Sequence, residues 1–327
     1  MRAVQVATPG GIDALAVVDV PEPVAGLGEV VIDVAYAAAN WSDIQKREGV
    51  YPEPVTYPAV IGLEVSGRVH SCGAGVDSLD IGQRVAAITG PHMLGGQAER
   101  CVVGADFVIP LPDDVSLEVG AAFPVVALTA YHLVNSAYSL SRGETVLVHA
   151  IGGAVGLAVT QLAVEKGATV IGTVGRTGKG DQALKHGAHL VIERSEQDFC
   201  AEVRAFTGGV GVDLVIDSLG GVILPRSIDL LKTYGHAINI GEAAGYPDFD
   251  IRPKLYENST SLAGFEVLHA MRVPGLWQKG VSEVLRRLRS GLLEIPVKGI
   301  FPLEAVRDLH RKLESRSVSG KLLLQVG

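Results

Sequence analysis

Apolar and polar positions follow a period of two over the first third of the chain and then change texture. Residues 30–36 and 65–69 alternate or nearly so, as half-buried strands do. Pro21, Pro23, Gly26, Gly28, Pro52, Pro54 and Pro58 punctuate this β-rich part. From Ser116, a candidate N-cap, a helix is expected through Ala122 and another over residues 127–138. Strand patterns at 146–148, 170–174, 190–192, 214–216 and 235–240 then alternate with helix patterns at 158–165, 182–185, 199–206 and 223–231. That alternation predicts an α/β fold, a doubly wound parallel sheet with helices on both faces. A last strand is expected at 261–265 and a basic-faced amphipathic helix at 277–290. The tail, 297–327, reads as strand, helix, strand and is expected to pack on the N-terminal β-rich part.

One strand-to-helix junction carries chemistry. The apolar run Thr145 to Val148 leads into Ala150, Gly153 and Gly156 at A-x-x-G-x-x-G spacing, ahead of the helix pattern. Backbone N–H groups and the positive end of a helix meet an anion there, and missing Cβ atoms let a pyrophosphate approach. Ala150, Gly152, Gly153, Ala154, Val155 and Gly156 are therefore the candidate dinucleotide turn. The turn departs from G-x-G-x-x-G, because Ile151 stands at the first glycine's place. A second strand begins after Gly167, as a βαβ unit requires. About twenty residues past such a turn, NAD-specific sites carry an acid for the ribose 2′-OH. Here the sequence reads Gly175, Arg176, Thr177, Gly178, Lys179. Two cations and no carboxylate suit a 2′-phosphate, so Gly175, Arg176 and Lys179 point to NADPH. The opposing residue is Asp181, which a shifted alignment would offer to a ribose.

Composition narrows the partners. The chain has 327 residues, which suits two domains, and 47% hydrophobic against 20% charged residues, which suits large cores. A net charge of −8 without a basic run argues against nucleic acid and anionic membranes. No apolar stretch reaches membrane-span length, and the N-terminus alternates like a strand rather than a signal peptide. Cys72, Cys101 and Cys200 are scattered and odd in number, so no disulfide framework is implied and a reducing cytoplasm is expected.

In order along the chain stand Asn40-Trp41-Ser42-Asp43, Gly49-Val50-Tyr51-Pro52, Ile61-Gly62-Leu63-Glu64-Val65-Ser66-Gly67, Gly82-Gln83-Arg84-Val85 and Ala127-Leu128-Thr129-Ala130-Tyr131. The Ala150/Gly153/Gly156 turn, Val215-Ile216-Asp217-Ser218-Leu219-Gly220-Gly221 and Ser319-Gly320-Lys321 follow. In their joint order these resemble the medium-chain dehydrogenases/reductases of the zinc-free quinone oxidoreductase (zeta-crystallin-like) kind, over nearly the whole chain. The resemblance implies a Rossmann domain inserted into a β-rich, GroES-like catalytic domain. The expected bounds are residues 1–117 plus 268–327 for the catalytic domain and 118–267 for the Rossmann domain.

The same resemblance implies a site in the cleft between domains, lined by Asn40, Tyr51 and Thr129. Asn40 is expected to donate to a substrate carbonyl, or else to be a turn residue bonding local backbone. Tyr51 is expected to donate to a carbonyl or give a proton to carbon, or else to pack on its prolines. Thr129 resembles the residue that orients the carboxamide in related enzymes. Ser218, Asn239 and Gly241 fall on the expected cofactor side. Zinc dehydrogenases of the family carry Cys, His and usually Cys near Asn40, Leu63 and Ala122, so no metal site is expected. Glu64, in the family's usual acidic position, is then a structural hydrogen-bond partner before it is a base. Two departures stand out. Ile44-Gln45-Lys46 replace a Tyr that often follows Asn-x-x-Asp, and Val191-Ile192-Glu193-Arg194 lack a Tyr near the adenosine phosphate. Glu193 would repel a 2′-phosphate if turned inward, while Arg194 would replace the lost contact.

A nicotinamide hydride reduces a quinone without a strong acid from the protein. The expected function is therefore an NADPH-dependent reductase of quinones or similar electron-poor carbonyl compounds. One alternative is an enoyl reductase of enones or thioesters with Tyr51 as proton donor. The other is a dinucleotide-binding protein with a structural or partner role. The resemblance further implies a homodimer, with the strand near residues 261–265 pairing across a two-fold axis.

Overall fold

The structure, a computed structural model, describes residues 1–176 and 178–327; Thr177 of the cation-bearing loop lies outside the described residues. The chain divides into two units, Met1–Val125 with Ile295–Gly327, and Val126–Glu294.

The first unit opens with β1 (Arg2–Val6), β2 (Leu15–Asp19) and β3 (Glu29–Ala39). Helix α1 (Trp41–Glu48) follows, then β4 (Ala59–Val60), β5 (Glu64–Cys72), β6 (Arg84–Ile88), β7 (Arg100–Gly104) and β8 (Val108–Pro110). Helix α2 (Leu117–Ala122) comes next, and α3 (Pro124–His132) leads into the second unit. Ser116 does cap α2, its hydroxyl accepting from Val119 N at 3.3 Å. The long strand β3 is the spine: it pairs antiparallel with β5 and with β7. Alternation along it sends Val30, Ile32 and Val34 into a core with Val65, Val69, Val85 and Leu324.

The second unit is built on a parallel sheet. Its elements are β9 (Thr145–His149), α4 (Ala154–Glu165), β10 (Thr169–Val174), α5 (Asp181–Lys185), β11 (Leu190–Glu193) and α6 (Phe199–Phe206). Then come β12 (Val212–Asp217), α7 (Ile223–Ile228), β13 (Leu231–Asn239), α8 (Ile251–Glu257), β14 (Ser261–Gly264) and α9 (Leu276–Arg289). The strand order is β11-β10-β9-β12-β13-β14, so the order reverses between β9 and β12. In such sheets ligands bind outside the carboxyl ends of the strands at that switch point. Continuous apolar runs such as Val146 to Val148 are what a strand buried on both faces requires.

The tail returns to the first unit as β15 (Val297–Pro302), α10 (Val306–Glu314) and β16 (Lys321–Gln325), with β16 antiparallel to β3. Three expectations need adjusting. The helix expected over 127–138 ends at His132 and passes into a π-helical turn, Leu133–Ala137. The chain divides at 125/126 rather than 117/118, because Ser66 Oγ donates to Leu117 O at 2.5 Å and α2 packs on β5. It divides again at 294/295 rather than 267/268. Helix α9 packs where a Cβ on Gly280 would lie 2.5 Å from His132 Nε2, and Arg287 pairs with Glu165 at 2.7 Å.

Candidate active site

Three neighbouring strands of the first unit bring one charged cluster together. Ala38 on β3 lies opposite Glu64 on β5, and Ala39 lies opposite Leu322 on β16. The next residue along β16, Lys321, therefore comes to Asn40, the N-cap of α1. Lys321 Nζ donates to Asn40 Oδ1 at 2.7 Å, to Glu64 Oε1 at 2.6 Å and to Ala39 O at 3.1 Å. Asn40 Nδ2 donates to the same Glu64 oxygen at 3.0 Å, and Glu64 Oε2 accepts from Val125 N at 2.7 Å. Glu64 is fully buried and bonded at both oxygens, so the expected structural role fits it and a role as base does not.

Beneath this group sits the first turn of α1. Asn40 N–H donates to Asp43 Oδ2 at 2.8 Å, a charge-assisted bond at a helix N-terminus. Asp43 is buried, and burial pushes its carboxyl up to about 6 although Lys46 and Lys321 pull the other way. Lys46 is buried too, and desolvation pushes its ammonium down to about 8 against the pull of Asp43. Lys46 Nζ donates to His92 O at 2.5 Å and Met93 O at 2.9 Å, and stands 4.5 Å from the centre of the Tyr51 ring. Tyr51 thus meets a cation through its ring face, a contact beyond proline packing. Two acids and two ammoniums make this buried cluster neutral. The roles of Asp43, Lys46 and Lys321 were not foreseen from the sequence; the available signal was a lone charge opening the apolar run Lys321 to Leu324.

In the second unit the predicted cofactor residues stand at the carboxyl ends of five adjacent strands. Ala150, Gly152 and Gly153 follow β9, Gly175, Arg176 and Lys179 follow β10, and Arg194 follows β11. Ser218 follows β12, while Asn239 ends β13 just before Gly241. Ala150 has φ of 52°, in the left-handed region, and begins the turn that reverses the chain into α4. Gly153 is the N-cap of α4, Ala154 and Val155 are its first residues, and no side chain caps it. The helix therefore offers first-turn N–H groups to an anion, without an acid in that turn to repel it. The glycines are needed for closure: a Cβ on Gly152 would lie 2.1 Å from Lys179 O, and one on Gly156 would lie 2.6 Å from Ile151 Cα. These features fit a dinucleotide pyrophosphate.

The flanking loops bring cations suited to a 2′-phosphate and one carboxylate, Glu193, that is turned toward the same loop and opposes it. Arg176 is exposed and Lys179 half-buried. Arg194 Nη2 would be 3.6 Å from a Cβ on Gly175, so β11 delivers its cation to the β10 loop. The Glu193 carboxylate accepts from Gly178 N at 3.3 Å, in the same loop as the cations. Asn239 Nδ2 donates to Asp217 Oδ2 at 3.2 Å and to Gly241 O at 3.1 Å, which makes it an organiser of its own turn. Asp217 also accepts from Leu219 N at 2.9 Å and Gly220 N at 3.0 Å; its part in shaping this loop was not foreseen.

His149, beside the turn, is a strut. Its Nδ1 meets Thr173 Oγ1 at 2.8 Å and its Nε2 meets Ser227 Oγ at 2.7 Å. Ser227 already donates to Ile223 O, so Nε2 carries the proton and Thr173 donates to Nδ1. Thr129 lies buried on α3. Among the described residues no group of three or more His, Cys, Asp or Glu stands together to hold a metal ion. No described helix is long and apolar enough to cross a membrane.

Residues 26–113 match the alcohol dehydrogenase GroES-like domain and residues 154–283 the zinc-binding dehydrogenase domain. The chain is 31% identical to quinone oxidoreductase 1 of Escherichia coli, over 96% of each chain. It is 32% identical to a phenolphthiocerol/phthiocerol polyketide synthase of Mycobacterium tuberculosis, matching over 98% of its own length but only 15% of that much longer protein. A mycobacterial protein solved in complex with NADPH superposes with a TM-score of 0.94 and 33% identity, over 99% of this chain and 100% of the other. The β-rich unit is thus the GroES-like domain and the parallel sheet the Rossmann domain, and the chain belongs to the quinone oxidoreductase family of medium-chain dehydrogenases/reductases.

Proposed function

We propose that the chain is an NADPH-dependent reductase that delivers hydride to quinones or similar electron-poor carbonyl compounds, without zinc. The observation that carries this reading is the uncapped N-terminus of α4 behind a glycine-closed turn, flanked by Arg176, Lys179 and Arg194. NADPH, when bound, supplies the hydride. In this reading the α4 amides hold the pyrophosphate, and the three cations, with Gly175 between them, meet the 2′-phosphate. Ser218, Asn239 and Gly241 shape the nicotinamide side, where Thr129 orients the carboxamide. Asn40 donates an N–H to the substrate oxygen as charge grows on it. Zinc does not suit the residues around Asn40. The side chains of Leu63 and Ala122 have no ligand atoms, and of the two acids bonded to Asn40, Asp43 accepts the N-cap N–H and Glu64 is bonded to an ammonium.

One contact favours a second reading, enoyl reduction with Tyr51 as proton donor: Lys46 stands over the Tyr51 ring. Tyr51→Phe separates the two. Quinol oxygens take protons from water, so quinone turnover should change less than about threefold, whereas loss of a general acid costs about a hundredfold or more. A loss of that size with α,β-unsaturated carbonyl substrates, and no quinone turnover by the unaltered protein, would replace the quinone reading.

We also infer a homodimer in a cytoplasmic setting. Strand β14 pairs with β13 alone among the described strands, leaving an edge for a second copy. A monomer by light scattering at micromolar concentration would count against it.

A further inference from the structure

We infer that Lys321 is a positioning residue for carbonyl reduction: it locks the Asn40 amide so that Asn40 offers a substrate an N–H donor and no acceptor. This rests on the reading of Asn40 as the group that meets the substrate oxygen. An ammonium has three hydrogens, and those of Lys321 go to Ala39 O, Asn40 Oδ1 and Glu64 Oε1. None is left for a substrate, and Lys321 is 3% exposed, so it acts only through its neighbours.

What it does to Asn40 follows from sign. The amide oxygen faces an ammonium and the amide nitrogen faces a carboxylate. A flipped amide would turn N–H groups toward the ammonium and a lone-pair oxygen toward the carboxylate, and both contacts would become repulsive. Charge-assisted bonds are about twice as strong as neutral ones, so two of them hold the orientation that a surface asparagine would leave free. One Nδ2 hydrogen is spent on Glu64; the other remains on a half-exposed side chain. An ammonium on the oxygen also withdraws electron density from the amide, and such chains of bonds strengthen their outer donor. The amide so held suits an oxygen that gains negative charge, as a carbonyl or quinone oxygen does when hydride arrives. It does not suit a hydroxyl that must itself donate.

The test is a double-mutant cycle on the full chain with NADPH and a benzoquinone, using Asn40→Ala, Lys321→Met and both together. Removing one such donor, as Asn40→Ala does, lowers kcat about a hundred- to a thousandfold. Lys321→Met should lower kcat and kcat/KM together by about tenfold, with KM for the quinone little changed. In the Asn40→Ala background it should cost less than about twofold more. Lys321→Met leaves Glu64 buried without its cation, so a second variant, Lys321→Met/Glu64→Gln, removes both charges. A glutamine there cannot accept from both Asn40 Nδ2 and Val125 N, so the variant's reference is Glu64→Gln alone; it should melt near that reference and bind NADPH as tightly by fluorescence, yet keep a tenfold lower kcat than it. A kcat in that variant equal to its reference, or equal losses in both backgrounds, would overturn the role of Lys321 while leaving Asn40 in place. Full kcat in Asn40→Ala would overturn the reading of Asn40 and this inference with it.

Discussion

Ile151 fills the space that a side chain on Gly172 would need: a Cβ there would lie 2.2 Å from Ile151 Cδ1. The fingerprint's first glycine has been exchanged for a buried isoleucine, and the neighbouring strand has given up its side chain to receive it. Gly172→Ala is accordingly expected to destabilise the fold by about 1–3 kcal/mol through overpacking. It should also weaken NADPH binding, because Ile151 can yield only by moving the turn. Ile151→Ala is expected to cost about 2–5 kcal/mol by leaving a cavity. Urea unfolding and a fluorescence titration with NADPH check both variants.

The preference for NADPH should reside in the loops after β10 and β11. Arg176→Ala, Lys179→Ala and Arg194→Ala are each expected to lower the NADPH-over-NADH ratio of kcat/KM by about tenfold, since a charge-assisted hydrogen bond contributes about 1.5–3 kcal/mol. The NADH value should hardly move. A parallel fall with both cofactors would mean that the loop is structural.

Stability should fall as the solution is made acid. Burial holds His149 and His310 down at about 3 and His132 at about 4, with Arg194 adding to the effect on His149 and Arg47 to that on His310. An unfolded histidine takes its proton near 6.5. Between these values the unfolded chain binds more protons, so stability that is full above about pH 6.5 is lost as pH falls. Asp43 has the opposite sign. Held at about 6, it binds its proton in the fold first, and its contribution is lost as pH rises through 6. Three groups oppose one, a net of about two protons, or about 2.7 kcal/mol per pH unit between about pH 4 and pH 6. Urea midpoints at pH 7, 6 and 5 should decline steeply; a flat profile would contradict the buried neutral histidines.

Gly280 faces His132 across α9 and α3. Alanine elsewhere in a helix gains about 1 kcal/mol over glycine, but here its Cβ would meet the imidazole at 2.5 Å. The clash should win, and Gly280→Ala should lower the melting temperature, whereas Gly280→Ala/His132→Ala should recover part of the loss.

The fold was legible where a local period reports burial. The parallel strands read as apolar runs bounded by glycine, and Ser116 announced its helix through a hydroxyl that caps it. Helix α9 was harder to assign, because its basic face gives no hint that Gly280 must pack on His132. The glycine turn was legible for a similar reason, since it needs only contiguous residues. Glu64, Lys321 and Asn40 meet through the register of three strands drawn from both ends of the chain, and no spacing within a sequence records that register. Lys46 escaped notice because a lysine on a short helix ordinarily points to water; here the carbonyls of His92 and Met93 draw it inward.

Steady-state oxidation of NADPH, with NADH alongside, against a panel of quinones tests hydride delivery to a quinone most directly. Quinone-dependent turnover unaffected by a metal chelator is expected, with kcat/KM at least about tenfold higher for NADPH. Tight NADPH binding with no turnover of any quinone would rule out a quinone reductase.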